Sequence, residues 1–271
     1  MAYFTKRRVG WGLASLIVVA AVMAGGCVWV PLAQSTSHFV SLPEDTRVRY
    51  EPGAEQNARI VAKALPHAVK TVEGGHQQPF PKPIVVYVCA TEKSFESYGF
   101  GVKGAGGFVF GERLFLSPKP VNTAERLPRV LTHELSHLHL EQMIGSWRAT
   151  SRLPGWFKEG LAVVVSNGAG AETVSETQAR RAIVEGRVFH REGTGSLLFP
   201  QTAAREGLPA HLFYRESALF VDFLRHSSRE GFARMLQEIY GGKKLSAAVQ
   251  SGFGRDLDGL WEEFTRELAE R

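Results

Sequence analysis

The sequence predicts an α+β protein in which a small mixed sheet with a hairpin is followed by a mostly helical C-terminal part. Short β-branched runs and a hairpin signal lie before residue 117, and apolar residues at helical spacing dominate after it. Strands followed by helices, without regular alternation, are typical of this class. With 271 residues, 44% hydrophobic and 22% charged, the chain can bury a substantial core.

The first 30 residues have the pattern of an export signal or membrane anchor. A basic segment ending at Arg8 precedes an uncharged run from Trp11 to Val30. This run is long enough to span a bilayer, and the basic end would then stay in the cytoplasm. The stretch AGGC, ending at Cys27, resembles the lipobox of bacterial lipoproteins, in which the cysteine carries a lipid. Otherwise Cys27 is a small apolar residue of the anchor. Each version predicts a domain at the bacterial cell envelope, outside the cytoplasm.

The charge of the chain argues against a nucleic-acid partner, and the context of its cysteines argues against a reactive thiol in the domain. The net charge is +5, three units of which come from residues 6–8, and no basic–aromatic stripe is present. Nucleic acid is therefore not expected as a partner. If Cys27 belongs to the signal, Cys89 is alone. It lies in the apolar run IVVYVCA and is expected to be an inert buried thiol.

The predicted elements of the first half follow in chain order. Residues 31–53 are expected to form a tether and an irregular or extended start, and residues 54–271 the main domain. A helix is predicted over 54–73, with Pro66 as a kink or break. A strand over 84–90 and a short helix capped by Thr91 come next. Two apolar runs, Phe108–Phe110 and Leu114–Leu116, predict a hairpin.

The second half is predicted to be helical. A long helix should start near Asn122 or Thr123 and end near Ile144, and another should follow Pro154. Three or four more helices are expected over 172–270, interrupted by a loop around 190–210.

The segment HELSH, residues 133–137, lies in the long helix. His133 and His137 are one turn apart, so their imidazoles can converge on one zinc ion. Glu134 beside them is placed to take a proton from a metal-bound water. An apolar stripe marks the core face of this helix, and the two histidines lie on a different face. The stripe consists of Leu127, Leu131, Leu135 and Leu138. The motif also occurs by chance in helices, so a third ligand is needed.

Glu159 is the candidate third ligand. A histidine six residues after the second histidine is excluded, because Met143 stands there. Glu159 lies in an apolar helix between Phe157 and Leu161, where a buried carboxylate needs a cation. The alternative is an exposed carboxylate on an amphipathic helix.

HELSH followed by PGWFKEGLA is similar to the gluzincin metallopeptidases, and most similar to the bacterial peptidase MA-like domains, which share the pattern P-x-W-x-x-E-G-x-A. The resemblance runs from about Ile84 to the C-terminus. It implies a zincin-like fold, one zinc ion per chain, His133, His137 and Glu159 as ligands, and Glu134 as the general base. It also implies that one strand of the hairpin binds the substrate as an added β-strand.

Two further side chains are candidates for the site. The family tends to have a tyrosine opening a later helix, and Tyr214 matches it. Tyr214 is expected to stabilise the oxyanion of the tetrahedral intermediate, with His211 in reserve; otherwise it packs the start of its helix. Glu141, one turn beyond His137, either orients a ligand histidine or is solvated.

The sequence thus predicts a zinc-dependent metallopeptidase that acts on a peptide or protein substrate at the bacterial envelope. It contacts the membrane through its N-terminal anchor or a lipid on Cys27. One alternative is a zinc-binding envelope lipoprotein with a binding or assembly role and little hydrolysis. A second alternative is a metal-free scaffold protein of the envelope, and a third is an enzyme that hydrolyses a non-protein amide. The sequence indicates neither the substrate nor the oligomeric state.

Overall fold

The computed structural model describes residues 34–99, 104–121, 123, 125–191 and 200–270. They form one five-stranded sheet and a mostly helical remainder, which confirms the α+β prediction. The predicted export signal or anchor lies outside the described residues. Among the described residues, no helix is both long and apolar enough to cross a membrane.

The sheet is mixed. Its strands are β1 (Val40–Leu42), β2 (Asp45–Tyr50), β3 (Val86–Val88), β4 (Gly107–Phe110) and β5 (Arg113–Leu116). Their spatial order is β1-β2-β3-β5-β4, with parallel pairs at β2–β3 and β3–β5 and antiparallel pairs at both ends. Strands β1 and β2 lie in the segment that the sequence assigned to the tether and the irregular or extended start.

The predicted hairpin is formed by β4 and β5, joined by Gly111 and Glu112. Both turn residues have a φ of +60°, which is the backbone of a tight turn matching the right-handed twist of the strands. Because β5 pairs on both sides, only β4 of this hairpin presents a free edge. The run Phe108–Phe110, and not Leu114–Leu116, is therefore able to pair with an added strand.

The described helices are numbered in chain order. They are α1 (Glu55–His76), α2 (Glu92–Tyr98), α3 (Pro118–Val121), α4 (Arg126–Ile144), α5 (Ser146–Arg152), α6 (Gly155–Val165), α7 (Glu176–Val184), α8 (Ala210–Ser227), α9 (Arg229–Tyr240), α10 (Leu245–Phe253) and α11 (Leu257–Glu270).

Helix boundaries correct several expectations. Helix α1 runs unbroken through Pro66, because five side chains of its apolar face are buried and outweigh the lost hydrogen bond: Ala58, Val61, Leu65, Ala68 and Val72. Helix α4 begins at Arg126, not at Asn122 or Thr123. Asn122 lies outside the described residues, and Thr123 contributes its carbonyl, not its side chain, to the start. The described residues between 172 and 270 contain five helices, not three or four.

Helix α4 is the central helix of the site. It packs against α1, α6 and both strands of the hairpin. The predicted leucine stripe is confirmed, since each of its members is at most 1% exposed: Leu127, Leu131, Leu135 and Leu138. This stripe fixes the rotation of α4 and directs its other face toward α6 and β4.

Candidate metal centre

The structure brings His133, His137 and Glu159 together. The two Nε2 atoms lie 3.2 Å apart. Oε2 of Glu159 lies 3.4 Å from Nε2 of His133 and 3.5 Å from Nε2 of His137. Three ligand atoms of the types that zinc prefers thus form a nearly equilateral triangle, and these residues could hold a metal ion.

The size of this triangle fits a tetrahedral zinc ion. Ligand atoms about 2.0–2.1 Å from tetrahedral zinc lie about 3.3 Å from one another. The three observed edges, 3.2, 3.4 and 3.5 Å, bracket that value. Glu159 and both histidines also line a groove, so a metal ion held by them would be accessible from it.

The packing of α6 against α8 sets the position of Glu159. A Cβ atom at Gly160 would lie 2.5 Å from the backbone oxygen of Ser217 and 2.8 Å from Cγ2 of Val221. Only glycine therefore allows these two helices to approach so closely. Gly160 directly follows Glu159, so the contact holds the carboxylate at the height of the two histidines.

The electrostatics of the triangle favour an ionised Glu159. Burial pushes its pKa up, but His137 and His133 outweigh burial and hold that pKa well below its ordinary value. Burial lowers the pKa of His137, whereas the Glu159 carboxylate more than compensates and raises it. An anionic oxygen between two imidazoles is a donor set suited to a divalent cation.

Glu134 lies against the edge strand. A Cβ atom at Gly107 would lie 2.7 Å from Cγ of Glu134, so the glycine at the start of β4 makes room for this side chain. Burial raises the pKa of Glu134, the two histidines lower it, and Glu159 raises it further; the net effect is a pKa above the ordinary value. The carboxyl group is thus shifted toward the range in which a general base works near neutral pH.

A groove with a cavity volume of about 540 Å³ runs over the triangle. One wall is the segment from Gly104 to Phe110, which ends with β4, and the floor is α4 from Arg126 to Glu141. These two floor residues are about 22 Å apart along the helix axis. That length corresponds to about six residues of an extended peptide. The groove is therefore longer than the metal centre on both sides.

Tyr214 lines the groove beside His133. Their ring centroids are 6.4 Å apart. A Cβ atom at Gly170 would lie 3.1 Å from Cδ2 of Tyr214 and 3.4 Å from Cε1 of His133, so this glycine lies against both rings. The charge of Glu159, then burial, then Glu134 raise the pKa of Tyr214 above its ordinary value. The phenol stays protonated and can donate a hydrogen bond. His211 also lines the groove, but its Nδ1 accepts from the backbone N–H of Thr173 and lies 3.7 Å from Glu172.

Glu141 joins the metal helix to the hairpin. Its Oε2 accepts hydrogen bonds from the backbone N–H of Glu112, at 3.0 Å, and from Oγ of Ser146, at 2.6 Å. Among the described residues, Glu141 forms no hydrogen bond with His133 or His137. Its partners lie in the β4–β5 turn and α5, so Glu141 holds the edge strand against α4.

Two features of the site could not be assigned from the sequence. Lys158 lines the groove beside Glu159, and burial lowers its pKa. His76 lies fully buried on the other side of α4, with Nε2 2.7 Å from Oγ of Ser136 and Nδ1 2.9 Å from the hydroxyl of Tyr240. Since Ser136 precedes His137, this cluster supports α4 directly behind the ligand. His76 and Tyr240 are 164 positions apart, and no local pattern marks such a contact.

Comparisons with known proteins give a distant structural likeness. No protein family model matches the chain, and no curated protein matches it. Among solved structures, the native yeast LTA4 hydrolase has 14% sequence identity and a TM-score of 0.49, over 86% of this chain and 38% of that one. Yeast LTA4 hydrolase in complex with bestatin has 16% identity and a TM-score of 0.48, over 86% and 37%. The chain therefore spans less than two fifths of either structure. Identity at this level does not transfer a function, which must be argued from the site.

Proposed function

We propose that this protein is a zinc-dependent metallopeptidase of gluzincin type, with a zincin-like fold. The observation that supports this most is the triangle of His133, His137 and Glu159 at the floor of a long groove. Glu134 lies next to it, on the same helix. A site that only stores or displays a metal needs neither the groove nor the carboxylate.

His133, His137 and Glu159 would hold one zinc ion per chain. When bound, zinc lowers the pKa of a water molecule toward neutrality and polarises the carbonyl of the substrate. The chain's own contribution is to hold the three ligands at the observed separations and to expose them to the groove.

Glu134 is the proposed general base. Its carboxylate accepts the proton of the attacking water and passes it to the nitrogen of the leaving amine, so it ends the cycle in its starting state. Tyr214 donates its phenolic hydrogen to the oxyanion of the tetrahedral intermediate. Its elevated pKa keeps this proton on the oxygen at neutral pH.

The substrate is proposed to be an extended peptide segment. Strand β4 pairs only with β5 among the described strands, and its residues line the groove. An extended segment can therefore pair with β4 as an added strand, which places its carbonyl groups above α4. The length of the groove on both sides of the triangle favours a chain that extends past the scissile bond in both directions.

The proposed location is the bacterial cell envelope, with the groove outside the cytoplasm. The support is the basic start followed by the uncharged run Trp11–Val30, and the lipobox-like stretch ending at Cys27.

Metal content and peptide hydrolysis of the purified full chain test this function. We expect about one zinc per chain in the wild type and a large loss in Glu159→Ala. The variant Glu134→Gln is isosteric, so it should keep the zinc and the stability but lose hydrolysis of a quenched-fluorescent peptide library. A wild type that takes up no zinc after remetallation would refute the proposal.

The rival function is a zinc-bearing binding or assembly protein. It predicts that Glu134→Gln changes neither zinc content nor any measurable hydrolysis, because the wild type itself would leave the library uncut. A Glu134→Gln variant that is unstable would assign the residue a structural role instead.

A further inference from the structure

Helix α5 and the loop between α9 and α10 form a surface that the proposed chemistry does not use. Trp147 is 64% exposed, although tryptophan is rarely left in solvent. Both segments carry basic residues, and Arg148 directly follows Trp147 in α5. We call this surface the basic tryptophan patch, and it consists of Trp147, Arg148, Arg152, Lys243 and Lys244.

The two segments of the patch are joined directly. Arg152 donates a hydrogen bond from Nη1 to the carbonyl of Gly242. A Cβ atom at Gly242 would lie 3.6 Å from Nη1 of Arg152 and 3.9 Å from Nη1 of Arg148. Both guanidinium groups therefore lie beside the loop that carries the two lysines.

Positive charge is in excess on this surface. Lys243 forms an ion pair with Glu238 at 2.8 Å. Arg148 and Lys244 are exposed and have no carboxylate partner in the part of the chain that the structure describes. An exposed tryptophan next to an exposed arginine, on a surface with an excess of positive charge, fits the boundary of an anionic bilayer, where the indole enters the headgroup region and the cations meet lipid phosphates.

The start of the described chain is connected to the same region. The carbonyl of Gln34 accepts a hydrogen bond from Nη1 of Arg113, at 3.4 Å. Arg113 directly follows Glu112, whose N–H binds Glu141, and Glu141 also binds Ser146 at the first position of α5. The β4–β5 hairpin thus binds Gln34 and is linked through Glu141 of α4 to the helix that carries Trp147.

The distance from the predicted anchor is short. Gln34 lies four positions after Val30, the end of the uncharged run, and four positions of any chain span at most about 14 Å. If Cys27 carries the lipid instead, the seven positions to Gln34 span at most about 24 Å. Either tether would keep Gln34 and the hairpin bound to it close to the bilayer surface, and Glu141 links that hairpin to α5.

We propose that the basic tryptophan patch docks on the surface of an anionic lipid bilayer, the one that holds the N-terminus. This docking depends on the tether and on the patch and is independent of hydrolysis. Ala149 and Thr150 of α5 also line the groove, so docking turns that end of the groove toward the membrane.

The full chain reconstituted in lipid nanodiscs tests the proposal. Hydrogen exchange of residues 146–152 and 241–244 is compared between pure phosphatidylcholine and a mixture with about 30% phosphatidylglycerol. We expect slower exchange of both segments in the anionic discs only, reversed by about 0.5 M salt, which shortens the range of the attraction.

Paired variants make the test specific. Arg148→Glu with Lys244→Glu should abolish the protection, since each unit of charge removed weakens the attraction about fivefold. The matched control is Arg225→Glu with Arg229→Glu, which changes the same charge on exposed residues at the end of α8 and the start of α9. The length of α9, about 18 Å, separates Arg229 from the loop of the patch. The control should keep the protection.

Several outcomes would overturn the proposal. These are no protection in anionic discs, equal protection in neutral discs, or equal loss in both paired variants. Protection without lipid that increases with protein concentration would also overturn it, because the patch would then bind a second copy of the chain. Zinc content and peptide hydrolysis are not part of this readout, so failure here leaves the proposed function untouched.

Discussion

Gly160→Ala tests whether the contact between α6 and α8 sets the metal site. The added Cβ would lie 2.5 Å from the backbone oxygen of Ser217, whereas ordinary contacts begin at 3.4 Å. Backbone cannot rotate away as a side chain can, so the helices must separate by about 0.9 Å. Overpacking of this kind costs about 1–3 kcal/mol, and the helix propensity of alanine returns up to about 1 kcal/mol. We expect a net loss of about 1–2 kcal/mol in the free energy of unfolding.

The same displacement should weaken zinc binding. Moving α6 by about 0.9 Å exceeds the tolerance of about 0.5 Å for a preorganised site. Glu159 is one residue from the clash, so its carboxylate would leave the triangle. Zinc affinity should fall about 10–100-fold, as it does when the support of a ligand is lost. Competition with a chelator of known affinity measures this, and urea unfolding of the metal-free full chain in detergent measures stability.

Gly74→Ala is the matched control. Gly74 lies inside α1, and a Cβ there would meet nothing within 4 Å. The same substitution should therefore raise stability by up to about 1 kcal/mol and leave zinc affinity unchanged. A Gly160→Ala variant with wild-type stability and wild-type zinc affinity would refute the reasoning, since the close approach of α6 and α8 would then have no role in placing Glu159.

Three further changes address other parts of the structure. Glu216 is fully buried, its carboxylate oxygens have no hydrogen-bond partner among the described residues, and burial raises its pKa to about 8. The folded-state pKa of Glu216 exceeds its unfolded-state value. The folded protein therefore keeps its full stability below about pH 4.5 and loses stability as the pH rises toward 8, because the unfolded chain releases this proton first. Glu216→Gln should remove this pH dependence. In urea unfolding, the free energy of unfolding of the variant minus that of the wild type should be about 2 kcal/mol larger at pH 7 than at pH 4, after solvent screening is allowed for. Tyr214→Phe should lower kcat about 100-fold with little change in KM, as measured on a peptide from the library screen; a change in KM alone would assign Tyr214 to substrate binding. Glu141→Ala should raise KM about tenfold while zinc content stays at the wild-type level, because it releases the hairpin turn and not a ligand. Zinc loss in Glu141→Ala would contradict that assignment.

Residues in local patterns were predicted well. The spacing of His133 and His137 and the leucine stripe are properties of a single helix, so the helical period alone places them on different faces. Glu159 was inferred from the cost of a carboxylate in an apolar helix, and the structure places it at the two histidines. The hairpin was predicted because two short apolar runs flank a turn containing Gly111.

Features that depend on distant contacts were not predicted. Strands β1 and β2 join the sheet through a parallel pairing with β3, which requires residues far apart in sequence and has no turn signal. Helix α5 has only seven residues and no apolar period. Glu141 was expected to orient a histidine or to be solvated. Its actual partners, Glu112 and Ser146, depend on where the hairpin turn lies relative to α4, and the sequence does not encode that distance locally.

The contact between Gly160 and Ser217 also determines when Glu159 can be positioned during synthesis of the chain. A chain that is made, or threaded across a membrane, from its N-terminus presents both histidines and Glu159 well before Ser217. At about 5–20 residues per second, the 58 positions from Glu159 to Ser217 take about 3–12 seconds of synthesis. During that interval α6 has no α8 to pack against, so the third ligand is not held in place. The fold thus delays the positioning of Glu159 beside the two histidines until α8 has emerged, and a chain cut before α8 would lack the contact that positions it.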